Sequence, residues 1–302
     1  MKPIITGFFD HQGSISFDEQ LNIIQRHQMN QVCLRYYNQK PLIECSDKEL
    51  KEIYNKTKDK RIKIAAIDTL IKSYDINNDL EAKEAFDAFK HLVKVAQKLK
   101  ISYLFVRLPK FHDVIEEFEN IKLRLEPWVQ LCAKQNKKMI LVLEEPYKAN
   151  TYAYIIKKMK SNYLKVLYDP VYFLEIHQSN TTSYRILKKH IQAFACRDAD
   201  QKLNPKLIGY GKTDIIALLK KLIRDRYSNF LLMDNEFYEK VFAPQEEKAG
   251  FFKKLFSKTK KRDQKQIENI SKKIFPNEQT KNATYDDILD NQLNVIQLIF
   301  KK

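Results

Sequence analysis

Charged side chains directly follow many of the short apolar runs in this sequence. They include the carboxylates Asp68, Glu144, Asp169 and Asp234 and the arginines Arg35, Arg107 and Arg197. Carboxylates that converge repel each other unless a cation or a shared proton lies between them, and oxygen-rich groups suit Mg²⁺ or Mn²⁺. Guanidinium groups hold anionic substrate groups such as phosphates. The pattern therefore predicts a site for a divalent metal and an anionic small molecule.

The apolar runs themselves predict eight strands that alternate with amphipathic helices. The runs cover 4–9, 31–35, 62–68, 101–107, 139–144, 163–169, 191–196 and 230–234. Runs rich in Ile, Val, Leu, Tyr and Phe are typical of strands buried on both faces, and eight of them predict an α/β fold, the (β/α)8 TIM barrel. A doubly wound open sheet is the alternative, but its glycine-rich first turn is absent at 10–14. A barrel would bring the charged strand ends to one rim.

Composition bounds the class of protein and its organisation. The chain has 302 residues and a net charge of +16, and its four cysteines form no CxxC pair. It has no run of the roughly 18 apolar residues that a membrane span needs, and the polar residues that follow its first five lead us to expect no secretory segment. We expect one cytoplasmic barrel domain over 1–302, with a basic insertion at 243–283 after the eighth strand and a final barrel helix at 284–300.

The basic insertion is the second functional candidate in the sequence. Residues 244–282 are polar, basic and turn-rich, and Phe251, Phe252, Lys253 and Lys254 combine aromatic and cationic side chains. Three interpretations remain open: a flexible lysine-rich loop, a lid that attracts phosphorylated substrates, or a helix that contacts an anionic membrane surface through 250–265. Binding to nucleic acid is disfavoured, because no recognised reading motif accompanies the charge.

Six segments together carry a family resemblance. They are QVCLR at 31–35, DKELKEI at 47–53, AIDTLIK at 66–72, LEEP at 143–146, YDP at 168–170 and GYGKTD at 209–214. In order and spacing they resemble the sugar phosphate isomerase/epimerase group of the xylose isomerase-like TIM barrels. The resemblance covers about residues 1–242 and returns at 284–300.

The resemblance implies an isomerase or epimerase that acts on a sugar or sugar phosphate with the help of Mn²⁺ or Mg²⁺. It implies that Glu144, Asp169 and Asp234 hold the metal, and that Glu144 and Asp234 also move the proton. The family's histidine ligand falls at Ala195, which cannot bind a metal, so Asp198 or water is expected to supply the missing ligand.

The remaining candidates concern substrate binding and an alternative function. Arg35, Arg107 and Arg197 are expected to orient the anionic group of the substrate, and His11, after the first strand, is a further candidate contact. Cys196 is interpreted as a small buried residue rather than a nucleophile. The alternative is a barrel that has lost catalysis and serves as a ligand-binding or membrane-associated module, and the missing histidine favours it. The sequence does not predict an oligomeric state.

Overall fold

Eight parallel strands form the centre of the molecule in the computed structural model. The structure describes residues 2–233, 236–243, 253–278 and 280–301, and over 253–263 it describes only the backbone. The strands are β1 Ile4–Gly7, β2 Gln31–Leu34, β3 Lys63–Asp68, β4 Tyr103–Val106, β5 Lys138–Leu141, β6 Leu164–Tyr168, β7 Ile191–Cys196 and β8 Phe230–Met233. They hydrogen-bond in the order β1-β8-β7-β6-β5-β4-β3-β2. A parallel bridge between Phe8 and Cys33 brings the two outer strands together. The predicted (β/α)8 barrel is confirmed.

Each strand is buried on both faces, as its continuous apolar sequence requires. The face that points into the barrel carries several small residues, among them Cys33, Ala65, Ala66, Ala193 and Ala195. Larger side chains such as those of Phe105 and Leu167 fill the remaining interior. The opposite face packs against the helices in the main hydrophobic core. The barrel is therefore a packed core, and its chemistry must lie at an end.

Helices surround the barrel. They are α1 Phe17–Arg26, α2 Asp47–Asp59, α3 Asp79–Lys98, α4 Phe118–Lys134, α5 Ala149–Met159, α6 Pro170–Glu175, α7 Asn180–Leu187, α8 Ile215–Arg224, α9 Lys253–Ile274 and α10 Tyr285–Phe300. Ser46 with Glu49 and Thr284 with Asp287 form capping boxes at the starts of α2 and α10. These caps satisfy backbone N–H groups that a helix start leaves unpaired, and the cap at Thr284 lies at the predicted start of the final helix.

The last helix, α10, connects the end of the ring of helices to its first helix, α1. Helix α10 contacts α8, and on its other side His27 at the end of α1 places Nδ1 2.6 Å from Asp290 and Nε2 3.3 Å from Asp286. Arg26 also pairs with Asp286 at 3.1 Å. Helix α10 thus lies between α8 and α1, and its assignment as the final barrel helix stays a prediction.

The basic insertion contains a long helix where the sequence indicated a turn-rich segment. Helix α9 runs from Lys253 to Ile274, and Ile270 packs in a small apolar cluster with Leu207, Phe237 and Ile288. The Oγ of Ser271 accepts a hydrogen bond from the N–H of Ala283 at 2.7 Å. The later half of α9 is therefore fixed to the barrel by packing. Over the part of the chain that the structure describes, no helix is long and apolar enough to cross a membrane.

Candidate active site at the carboxyl end of the barrel

Arg107 joins two carboxylates at the ends of neighbouring strands. It follows β4, Asp68 ends β3 and Glu144 lies three residues after β5. The Nε of Arg107 donates to Glu144 Oε1 at 2.8 Å, Nη2 donates to Asp68 Oδ2 at 3.0 Å, and Nη1 contacts Asp68 Oδ1. Burial opposes the charge of Arg107, but the two carboxylates outweigh it and raise the pKa of the guanidinium. A permanent cation therefore lies between these acids.

Arg35 forms a second pair at the end of β2. Its Nε and Nη2 each donate to Asp10 at 2.8 Å, a bidentate arrangement with a fully buried carboxylate. Glu239, in a π-helical turn at Tyr238–Phe242, lies 3.8 Å from the same guanidinium. Burial again opposes the charge, and the hydrogen bond and charge of Asp10 raise the pKa of Arg35. The arginine predicted to orient a substrate is thus engaged by the protein itself.

Arg197 forms the third ion-pair group, after β7. Its Nε donates to Asp169 Oδ1 at 3.0 Å, its Nη2 contacts Asp169 Oδ2, and its Nη1 donates to Glu236 Oε2 at 3.2 Å. The Oδ1 of Asp169 also accepts from the N–H groups of Val171 and Tyr172, which caps helix α6. Lys240 makes a further ion pair with Glu236. The carboxylate predicted as a metal ligand is therefore held by an arginine and a helix start.

Asp198 has a different role from the predicted metal ligand. Its Oδ1 accepts from Ala199 N at 3.0 Å and from Thr213 Oγ1 at 2.7 Å. Its Oδ2 accepts from the N–H groups of Gly209 at 3.0 Å and Gly211 at 2.8 Å. The side chain is 2% exposed. Because both oxygens are occupied by the 209–213 loop, Asp198 anchors that loop and does not face a metal.

These contacts test whether the residues fit a divalent metal. Among the residues that the structure describes, no group of three or more His, Cys, Asp or Glu side chains could hold a metal ion. Glu144 and Asp169 lie in separate ion-pair groups, and Ala195 is buried in the barrel wall. Guanidinium groups occupy the space between acids that a metal ion would need. The described residues therefore do not fit the expected metal, and Asp234 lies outside them.

A polar cleft of 450 Å³ opens beside Arg107 and Glu144. Its other lining residues are Leu70, Lys72, Ser73, Lys110 and Glu145. Lys110 lies 3.6 Å from Glu145, and Lys72 is exposed. A second cleft of 680 Å³ shares Leu70, Lys72 and Ser73 and extends past Tyr36, Ile43 and Ala85. Sequence reasoning missed Lys72 and Lys110, because they lie in the loops three or four residues beyond the strand ends that it considered.

His11 lies beneath the segment that follows β8. Its ring stacks on Tyr238, with centroids 3.6 Å apart, and meets the edge of Tyr285 at 4.8 Å. The residue is 8% exposed, and neither ring nitrogen has a hydrogen-bond partner among the described residues. Burial lowers the pKa of His11 to about 4, against the opposing charges of Asp10 and Asp286. It is a neutral, packed imidazole, and its predicted contact with substrate stays a prediction.

Some predicted residues lie outside the described part of the chain. Asp234, Phe251 and Phe252 lie outside the described residues. Lys253 and Lys254 begin α9, and only their backbone is described. The lid and membrane interpretations of the insertion therefore stay predictions. Cys196 is fully buried, which agrees with its interpretation as a packing residue.

The fold and this charged rim define a TIM barrel whose candidate site lies at the carboxyl ends of its strands, where such barrels carry their active sites. The family model described as "Xylose isomerase-like TIM barrel" matches residues 8–255. The chain belongs to that family, as the resemblance predicted. A comparison with curated proteins found no match.

Solved structures of the same fold carry different chemistries. An L-ribulose 3-epimerase matches with a TM-score of 0.68 and 11% identity, over 100% of this chain and 95% of its own. The probable 3-DHS dehydratase AsbF from Bacillus anthracis matches with a TM-score of 0.61 and 15% identity, over 78% of this chain and 92% of its own. A xylose isomerase-like TIM barrel protein from Mycobacterium smegmatis, in complex with magnesium, matches with a TM-score of 0.60 and 12% identity. The match covers 78% of this chain and 90% of that protein. At these identities the likeness establishes the fold alone.

Proposed function

We propose that this protein is a sugar isomerase or epimerase that moves a proton beside the carbonyl group of a small anionic sugar, without a divalent metal. One observation carries the proposal: Arg107 bridges Asp68 and Glu144 at the wall of a polar cleft at the carboxyl end of the barrel. The similarity of fold to an epimerase supports the reaction class.

Glu144 is the group placed to move the proton. Its side chain is 45% exposed, whereas that of Asp68 is 7% exposed. A general base must reach the proton that it takes, and Glu144 lines the cleft while Asp68 holds Arg107 from behind. In isomerisation the Glu144 carboxylate accepts the proton of the C–H group next to the carbonyl, and the electron pair moves to the carbonyl oxygen to give an enediolate. The proton of the neighbouring hydroxyl group passes to that oxygen as a new carbonyl forms, and Glu144 returns its proton to the former carbonyl carbon.

Arg107 stabilises the negative charge that develops on the carbonyl oxygen. An arginine has five N–H groups, and the hydrogen bonds to Asp68 and Glu144 use only part of them. Because the guanidinium is already fixed in place, it stabilises the enediolate without reorganising, which is how most enzymes obtain their largest catalytic effect.

Lys72 and Lys110 favour an anionic substrate. Together with Arg107 they give the cleft three cations against the two carboxylates of Glu144 and Glu145. A volume of 450 Å³ lies in the range of small-molecule sites. A phosphate or carboxylate group on the sugar would offset the excess positive charge.

Hydrogen exchange at carbon tests this proposal. Purified protein is incubated in D₂O and EDTA with D-fructose or D-fructose 6-phosphate, and NMR follows deuterium entering the position next to the carbonyl. We expect exchange with the phosphorylated sugar and a loss of at least about 100-fold in Glu144→Gln, the usual size of general-base catalysis. The matched control is Glu126→Gln on the exposed face of α4, which should exchange like the wild type. Exchange that appears only when Mn²⁺ or Mg²⁺ is added would overturn the metal-free chemistry.

Binding without catalysis is the second candidate. It is favoured by the engagement of Glu144 and Asp169 with arginines and by Ala195 at the expected histidine position. Saturation-transfer NMR separates the two candidates. Binding of the phosphorylated sugar with no deuterium exchange would support a ligand-binding barrel and refute the proposed isomerase or epimerase activity.

A further inference from the structure

Three lysines point into the amino end of the barrel. Along a strand, alternate side chains point to the same face. Ile140 and Val142 of the β5 segment belong to the interior cluster, and so does Leu167 of β6. Lys138 and Lys165 lie two residues before Ile140 and Leu167, and Lys63 lies two before the interior residue Ala65. Lys63, Lys138 and Lys165 are called the amino-end lysines below.

The amino-end lysines lie on one arc of the barrel, from β3 to β6. Strands β5 and β6 hydrogen-bond to each other, with Ile140 opposite Lys165. Tyr103 of β4 lies opposite Lys138, whose Nζ is 5.9 Å from the centre of the tyrosine ring. Lys138 and Lys165 are half-buried and Lys63 is exposed. Lys138 and Lys165 are thus neighbours on adjacent strands, Tyr103 packs beside Lys138, and Lys63 lies two strands from Lys138 on the far side of Tyr103.

No described carboxylate balances this charge. None of the three lysines forms an ion pair within the described chain. Burial lowers the pKa of Lys165, and the nearby charge of Lys138 lowers it further. Burial also lowers the pKa of His190, with Lys165 and Lys189 adding to the effect. The cations at this end therefore repel one another.

The turns around the amino end of the barrel are basic as well. In the seven connections from α1, α2, α3, α4, α5, α7 and α8 to the next strand, counted from each helix's last turn, the acidic residues are Asp59 and Asp225. Asp225 is already paired with Lys188 and Arg224. Lysines in the last turn of a helix stabilise its negative end, but the amino-end lysines lie on strands, where that explanation does not apply. Their inward position without a counter-ion points to a ligand.

We propose that the amino end of the barrel binds a phosphate or diphosphate group between Lys138 and Lys165, with Lys63 adding positive charge on the same arc. Such an anion offsets the repulsion between the two ammonium groups, and its oxygens accept hydrogen bonds from them. The phosphate belongs to a soluble molecule or to a lipid headgroup, and the two lysines accept either through the same contacts. The site lies at the opposite end of the barrel from the cleft beside Arg107, so it does not depend on the proposed isomerase.

Pyrophosphate binding tests the site at constant ionic strength, since salt screens non-specific attraction. Calorimetric titration and melting curves are recorded for the wild type and for Lys138→Gln/Lys165→Gln. We expect the wild type to bind and its melting temperature to rise with pyrophosphate. The double variant should bind at least about tenfold more weakly, because each lost ammonium removes a charge-assisted contact. Its melting temperature without pyrophosphate should not fall, because the repulsion is relieved.

Two control variants locate the binding. Lys157→Gln/Lys158→Gln removes the same charge from the exposed last turn of α5 at the same end, and it should weaken binding less than about threefold. Equal weakening in this control would mean diffuse attraction and overturn the site. Lys72→Gln/Lys110→Gln removes cations of the cleft, and loss of binding there alone would also overturn it.

Vesicles distinguish the source of the phosphate. Co-sedimentation with phosphatidic acid vesicles, but not with phosphatidylcholine vesicles, supports a headgroup if Lys138→Gln/Lys165→Gln abolishes it. Pyrophosphate binding without vesicle binding supports a soluble ligand. If neither pyrophosphate nor vesicles bind to the wild type, the proposal is wrong.

Discussion

Replacing Arg107 by methionine should remove the cation that holds Asp68 and Glu144 together. The side chains of Arg107 and Asp68 are 11% and 7% exposed, and leaving a buried carboxylate without its partner costs about 3 to 5 kcal/mol. We use the lower figure, about 3 kcal/mol, because Glu144 is 45% exposed and is screened by water. For 302 residues the entropy of unfolding is about 0.6 kcal/mol per degree. The melting temperature of Arg107→Met should therefore fall by about 5 °C.

Differential scanning calorimetry is the assay. Arg107→Met/Asp68→Asn should recover part of the stability, since residues in contact are not additive. Arg224→Met is the control, because its side chain is 64% exposed and pairs with Asp225 on the surface, and its melting temperature should change by less than about 1 °C.

Metal titration completes the test. If guanidinium groups take the place of a metal, Mg²⁺ or Mn²⁺ should not raise the melting temperature of the wild type. Two results would refute the reasoning. One is a metal-specific rise in the wild type, which would show a cation site beside the ion pairs. The other is an Arg107→Met variant as stable as the wild type, which would show that Arg107 holds nothing together.

Two further predictions concern residues around the site. The folded-state pKa of His11 is about 4 against an ordinary 6.5, so the unfolded chain binds more protons between these values and stability falls as the pH falls through that window. Chemical denaturation should show the wild type losing about 2 kcal/mol more than His11→Asn between pH 7 and pH 5, and equal losses would contradict a buried neutral ring. A Cβ on Gly211 would overlap the Asp198 carboxylate and the Ala199 carbonyl oxygen. Gly211→Ala should therefore cost about 2 kcal/mol in urea denaturation, and an unchanged midpoint would show that Asp198 does not hold the loop.

The strands could be predicted because a strand buried on both faces has a continuous apolar sequence. Their predicted ends were too long where the rim begins. The fifth run was predicted over 139–144, but β5 is Lys138–Leu141, and Glu144 lies beyond it in the cleft. Glu144 lies past the end of its strand because a charged side chain must meet water or a partner, whereas Asp68 can end β3 because Arg107 pairs with it.

The ion pairs of the rim were within reach of the sequence but were not predicted. Arg107 ends the fourth run, and acids end or follow the third and fifth, which are its neighbours in a barrel. An arginine that lies between two acids on adjacent strands favours ion pairs with those acids over a metal site. The role of Asp198 could not be predicted, because its partners lie 11 to 15 residues later in an irregular loop. The burial of His11 depends on Tyr238 and Tyr285, which are still more distant in sequence.

The two ends of the barrel treat positive charge in opposite ways. At the carboxyl end Arg35, Arg107 and Arg197 are each paired with a carboxylate, whereas at the amino end Lys138 and Lys165 face each other without one. A general bias toward lysine in the composition would raise the positive charge everywhere and would not separate paired arginines from unpaired lysines. The net charge of +16 is therefore not paired with carboxylates to the same extent at the two ends of the barrel. The three arginines of the carboxyl end are balanced within the chain, whereas the amino-end lysines leave a charge for the proposed anion to offset.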